Sequence, residues 1–142
     1  MAWKIAIACL LVAVTVAVHA VGLAWLLTSL LKPRALPPAR HWPITWLLIR
    51  LTWALLLIHA VAITIWGSFY FWEGCLPTFS SAVYFSGVTY ATVGYGDLLL
   101  PNGWRMLAPI EGLTGILMCG LSTGFFFVVV SRLFRSPFEE KT

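Results

Sequence analysis

Charge is what this sequence has least of. Of 142 residues, nine are lysine or arginine and five are aspartate or glutamate, 10% in all, against about a quarter in ordinary soluble domains. A chain so poor in charge cannot coat a water-facing surface. None of the five carboxylates is paired within an apolar stretch, and no Ser/His/Asp set or metal-ligand cluster accompanies them, so the sequence is not read as an enzyme. The formal net charge of +4 comes from basic residues scattered around hydrophobic stretches. They form no run, which leaves nucleic acid without a binding patch. Cysteine is scarce too. Cys9, Cys75 and Cys119 have no metal-ligand spacing. Cys9 and Cys119 lie in apolar segments and read as small packing residues.

What is present is apolar: 61% of the residues are hydrophobic and the mean hydropathy is +0.92. Residues 5–31 form an uncharged run of 27, longer than the roughly 20 residues needed to span a bilayer. Val18-His19-Ala20 resembles a signal-peptide cleavage site, but the apolar stretch continues eleven residues past Ala20, which a signal core does not require. The expectation is a first transmembrane helix over 1–31. The stretch 32–43, with Pro33, Pro37, Pro38 and Pro43 and three basic residues, reads as a stiff cytoplasmic connector. A second span is expected over 44–72, with Arg50 reaching the headgroups and Trp42, Trp46 and Trp53 at one end. Trp66, Tyr70 and Trp72 at the other end are expected to form a second interfacial belt. A third span is expected over 106–134. His19 and His59, at membrane depth, are expected to pack as neutral imidazoles against a neighbouring helix. Glu111 is expected to attract cations, any ion pair with Arg105 being tertiary or intersubunit. Gly112, Gly115, Gly120 and Gly124 leave room for close helix packing, and Gly120 and Gly124 are also candidate hinge positions.

Between the second and third spans lies a stretch too short to cross. A helix is expected over 78–91, capped by Thr78 or Ser80, and its charge-free part of thirteen residues would cover about 20 Å. It must be re-entrant, and such backbone is tolerated at membrane depth only when buried in protein or lining water. Six residues follow: Thr92-Val93-Gly94-Tyr95-Gly96-Asp97. Gly94 and Gly96 can take positive φ at little steric cost. Successive carbonyls can then be aimed to one side, where oxygens replace the water around a dehydrated cation. One chain supplies one such strand, so a closed ring needs several copies.

Thr-Val-Gly-Tyr-Gly resembles the selectivity filter of potassium channels, and residues 46–135 resemble the tetrameric potassium-channel pore domain. The resemblance implies an all-α integral membrane protein with three transmembrane helices, a re-entrant pore helix and a filter loop. Its pore domain would cover 44–142: outer helix 44–72, pore helix 78–91, filter 92–97 and inner helix 106–134. It implies K⁺ coordination by Thr92, Val93, Gly94 and Tyr95, with Gly96 and Asp97 supporting the filter. The partners would be three further copies of the chain and membrane lipids. K⁺ would be the permeant ion and no cofactor is implied. The chain departs from the family in four places. It has an added first span, which lacks arginine at every third position and so is no voltage sensor. Ala91 replaces a common threonine. Val88 stands where some relatives carry a glutamate that bonds the filter aspartate. Tyr84 stands in place of a tryptophan, and its hydroxyl is the suggested partner for Asp97. Cys75, in the polar connection before the pore helix, is open to an intersubunit disulfide.

Seven basic residues (Lys32, Arg34, Arg40, Arg50, Arg132, Arg135 and Lys141) fall on one side and Lys4 and Arg105 on the other. The positive-inside rule then predicts a cytoplasmic C-terminus and an outer N-terminus in the plasma membrane. The expected function is passive, K⁺-selective conduction through a homotetramer. The alternatives are a non-selective cation channel of the same fold and a non-conducting accessory subunit.

Overall fold

The computed structural model describes residues 2–31 and 41–135, with side chains over 2–30 and 44–132. Residues 32–40 of the connector, with Pro33, Pro37, Pro38, Lys32, Arg34 and Arg40, lie outside the described residues, as does the tail from Ser136 with Lys141. Among the described residues there are four helices and no β-sheet pairing: α1 (Ala2–Leu31), α2 (His41–Trp72), α3 (Phe79–Tyr90) and α4 (Leu107–Arg135). Stretches 2–30, 44–72 and 107–132 are long and apolar enough to cross a membrane. A helix is the form that lets each satisfy its own backbone there. Helix α2 begins at His41, three residues before the expected 44, and takes in Pro43. Proline is tolerated in a first turn, where its missing N–H has no partner to lose.

Helix α3 has 12 residues, about 18 Å of rise. Thr78 caps it: φ is −135° and the side chain accepts from Ser81 N at 3.1 Å. Ser80, the other expected cap, lies inside the helix. α3 packs between α2 and α4, and two glycines permit the approach. A Cβ on Gly67 would lie 2.8 Å from Val83 Cα, and one on Gly115 would overlap the Tyr90 carbonyl oxygen. Gly115→Ala is therefore expected to cost about 1–3 kcal/mol by overpacking, because the obstacle is backbone. Melting of the detergent-solubilised protein checks it, with Gly120→Ala, where nothing lies within 4 Å, run in parallel. Equal melting shifts for the two variants would refute the steric account.

The core is in three parts along the bundle. Ala8, Leu11, Trp66, Tyr70, Cys75, Leu76, Phe85, Leu100 and Leu107 join all four helices at one end. Ala62, Tyr90 and Met118 fill the middle, and Leu23, Leu26, Leu51, Leu55 and Val129 the far end. Two of the expected interfacial aromatics are instead core residues: Trp66 and Tyr70 are fully buried, while Trp72 is 82% exposed. The polar tips of the buried pair are satisfied inside the bundle, as burial demands. Trp66 Nε1 donates to Thr15 Oγ1 at 3.0 Å, and Tyr70 donates to Glu111 Oε2 at 2.7 Å. Trp46 and Trp53 are exposed, as a belt requires.

Candidate functional site

The site begins where α3 stops. Thr92 N donates to Thr89 O at 2.9 Å, and Val93 N and Gly94 N both donate to Val88 O, at 2.8 and 3.0 Å. The last turn of α3 thus absorbs the first N–H groups of the strand that follows. The strand's oxygens are treated differently: among the described residues, no hydrogen bond ends on the carbonyls of Thr92, Val93, Gly94 or Tyr95. Backbone acceptors are seldom left in this state unless another partner takes them.

The backbone torsions explain what that partner must look like. φ is +59° at Thr92, +52° at Gly94 and +76° at Gly96, and Val93 and Tyr95 between them are not positive. An extended strand points successive carbonyls to opposite sides. Alternating the sign of φ rotates every second peptide plane and gathers them on one side. The freedom expected of the two glycines is used. Thr92 was not expected to share it: a β-branched residue at positive φ is a genuine outlier, costs of order 1–3 kcal/mol, and is held only where the surroundings fix it. No sequence signal marks it except the alternation itself. The outward side chains are uncovered in the single chain, Val93 at 51% and Tyr95 at 72% exposure.

Behind the strand, Tyr84 on α3 donates to Asp97 Oδ2 at 2.9 Å, the contact suggested for it from sequence. This bond to the carboxylate holds the Tyr84 phenol above its ordinary range. Val88, Thr92, Asp97, Leu99, Arg105 and Pro109 border an open recess of about 500 Å³ alongside.

Two polar knots anchor α3 from the other side. Glu111 is fully buried: besides Tyr70, Ser86 Oγ lies 2.5 Å from its Oε1 and 2.9 Å from Ile63 O, with its one hydroxyl proton shared between the two acceptors. The expectation that Glu111 attracts cations or pairs with Arg105 is therefore corrected. A carboxylate with two hydroxyl partners in a dry core joins α2, α3 and α4, and Arg105 Nε donates instead to Leu100 O at 3.2 Å. The second knot centres on His59. Its Nδ1 lies 3.2 Å from His19 Nε2 and 3.2 Å from the Tyr90 hydroxyl, and its Nε2 lies 3.1 Å from Ser122 Oγ. The two histidines thus bond to neighbouring helices, and they meet each other.

Cys75 is a free, buried thiol, and burial raises it above the ordinary thiol range. That makes it a core residue, without the accessible thiol that the intersubunit disulfide left open by the sequence would need. A Cβ on Gly112 would lie 3.4 Å from Thr89 O, but one on Gly120 or Gly124 would have nothing within 4 Å, so close packing within the chain engages only the first two glycines of the series.

A family model described as "Ion channel" matches residues 54–132, from within α2 through the strand to α4. The match covers more than half of the chain and leaves α1 outside. No curated protein and no solved structure matches.

Proposed function

Because this multi-pass membrane protein belongs to the ion channel family, we propose that it is a potassium-selective channel formed by four copies around a central axis. The observation that carries the reading is the row of four unengaged carbonyls at residues 92–95, set by alternating φ. Four such rows would replace the hydration shell of K⁺, with ions moving in single file as neighbouring sites repel one another. The Thr92, Val93, Gly94 and Tyr95 oxygens would be the ion sites. Gly96 would complete the alternation, and Tyr84 would hold Asp97.

Four copies also account for what one chain leaves uncovered. On α4, Leu113, Ile116, Leu117, Leu121, Phe127 and Val128 are exposed, and the recess behind the filter is open to a neighbour. Gly120 and Gly124 lie on this uncovered part, where a hinge would meet no resistance from within the subunit. The basic asymmetry supports an orientation with the filter end toward the outer side of the plasma membrane and the end of α4 toward the cytoplasm.

Flux from liposomes tests the reading. K⁺ efflux from vesicles of purified protein is expected, with Na⁺ flux far smaller. Comparable Na⁺ flux would make the protein a non-selective channel, and no flux from an assembled tetramer would make it an accessory subunit.

A further inference from the structure

Helix α1 lies outside the family match, yet it is tied to the filter-bearing segment before and after the filter. Beyond the filter, Lys4 Nζ donates to Gly103 O at 2.6 Å and sits 4.6 Å from the Trp104 ring centre. Trp3 meets the same indole edge-on at 5.2 Å, and Phe69 of α2 flanks it at 5.3 Å. This is the segment that returns from Asp97 to α4. It turns at Pro101, whose carbonyl accepts from Trp104 N at 2.8 Å. A cation over an indole contributes about 0.5–1 kcal/mol at an exposed site, on top of a charge-assisted bond to backbone.

Before the filter, the tie runs through His59. His19 Nδ1 lies 3.2 Å from Thr15 O, and a carbonyl only accepts, so this nitrogen carries a proton. In a neutral His19 ring Nε2 is then the acceptor, and His59 Nδ1 must be the donor facing it. His59 Nε2 is left to accept from Ser122. His19 therefore fixes the tautomer of His59, whose single Nδ1–H is shared between His19 Nε2 and the Tyr90 hydroxyl oxygen, both at 3.2 Å. Tyr90 ends α3 and stands two residues before Thr92. Between the two ties, Thr15 holds the buried Trp66 of α2, which keeps α1 in register along the bundle.

We propose that α1 is a clamp on the filter, with Lys4 and His19 as positioning residues for its outgoing and incoming ends. The two lie fifteen residues apart on one helix, about 22 Å, so a single rigid element spans both attachment points. Thr92 at positive φ is an outlier that only its surroundings hold, so releasing either end lets the segment relax toward ordinary backbone. The clamp keeps the conducting geometry in place when few ions occupy it.

The inference rests on the proposed conduction, and the experiment separates the two. In wild-type channels that pass K⁺, current is followed after outer K⁺ is lowered. Lys4→Met and His19→Leu are each expected to shorten its survival by about tenfold, within the range of a lost coupling contact, while Lys4→Arg stays near wild type. At this separation melting shifts of the two variants should add. Current survival in the double variant should not, because releasing one end already frees the filter. His19→Gln replaces the leucine variant if that does not assemble. Unchanged current survival with lowered melting temperature would reduce α1 to a structural role and overturn the clamp, leaving conduction intact. Absence of K⁺ flux from the wild type would overturn the conduction reading, and the clamp with it.

Discussion

Gly94→Ala is expected to abolish K⁺ flux while leaving the assembly largely intact. Nothing lies within 4 Å of a Cβ built at this position, so the chain offers no steric objection, and the residue belongs to none of the three core clusters. The objection is conformational. Gly94 has φ of +52°, and an L-residue there costs roughly 1–2 kcal/mol. In the proposed ring that penalty is met four times, about 4–8 kcal/mol against the conducting arrangement, and it is relieved when the 94 peptide plane turns over. Turning it removes oxygens from the row and breaks the alternation that Thr92 and Gly96 share. Liposome flux and size-exclusion chromatography read the two halves of the prediction separately. A Gly94→Ala protein that conducts normally would mean that the carbonyls of 92–95 are not the ion sites. One that fails to assemble would mean that the strand is part of the core, against its exposure.

The spans and the turned peptides at Gly94 and Gly96 were legible in the sequence because both are written locally. An uncharged run states its own length, and two glycines spaced by one residue state which peptides can turn. What the sequence concealed depends on which helices adjoin. Trp66 and Tyr70 sit near the end of a span, where an interfacial belt and a buried core give the same pattern. Only the arrival of Thr15 from α1 and Glu111 from α4 distinguishes them. Glu111 was visible as the one carboxylate within a span, yet its partners are hydroxyls 41 and 25 residues earlier, which no spacing rule connects. His19 and His59, 40 residues apart, were each readable as packed imidazoles but not as a pair. The Tyr84 contact to Asp97 could be anticipated because a family pattern fixed the geometry and left a vacancy where Val88 stands. Thr92 could not be, since composition gives no reason for a β-branched residue to accept positive φ.

Glu111→Leu is expected to be the most damaging substitution within the helices, and Glu111→Gln a mild one. Each Glu111 oxygen serves a different helix: Oε2 accepts from Tyr70 of α2 at 2.7 Å and Oε1 meets Ser86 of α3 at 2.5 Å. Leucine fits the volume but offers neither helix a partner. Ser86 keeps its bond to Ile63 O, whereas Tyr70, fully buried among Trp66, Phe69 and Phe85, is stranded. An unsatisfied buried hydroxyl alone costs about 1–3 kcal/mol, and the two lost cross-links add to it. Glutamine has the same length and presents an oxygen and a nitrogen, and a hydroxyl can meet either one. The consequence reaches the proposed filter because Ser86 sits on α3, two residues before Val88, whose carbonyl holds Val93 and Gly94. Melting temperature in detergent and K⁺ flux are the measurements. Leucine should lower both and glutamine should keep most of each. There is an opposing force: a carboxylate in an apolar interior is costly to bury, and replacing buried polar clusters by well-packed apolar residues can stabilise a protein. If Glu111→Leu melts at or above the wild-type temperature, burial outweighs bonding, and the knot is not what holds α3 behind the proposed filter.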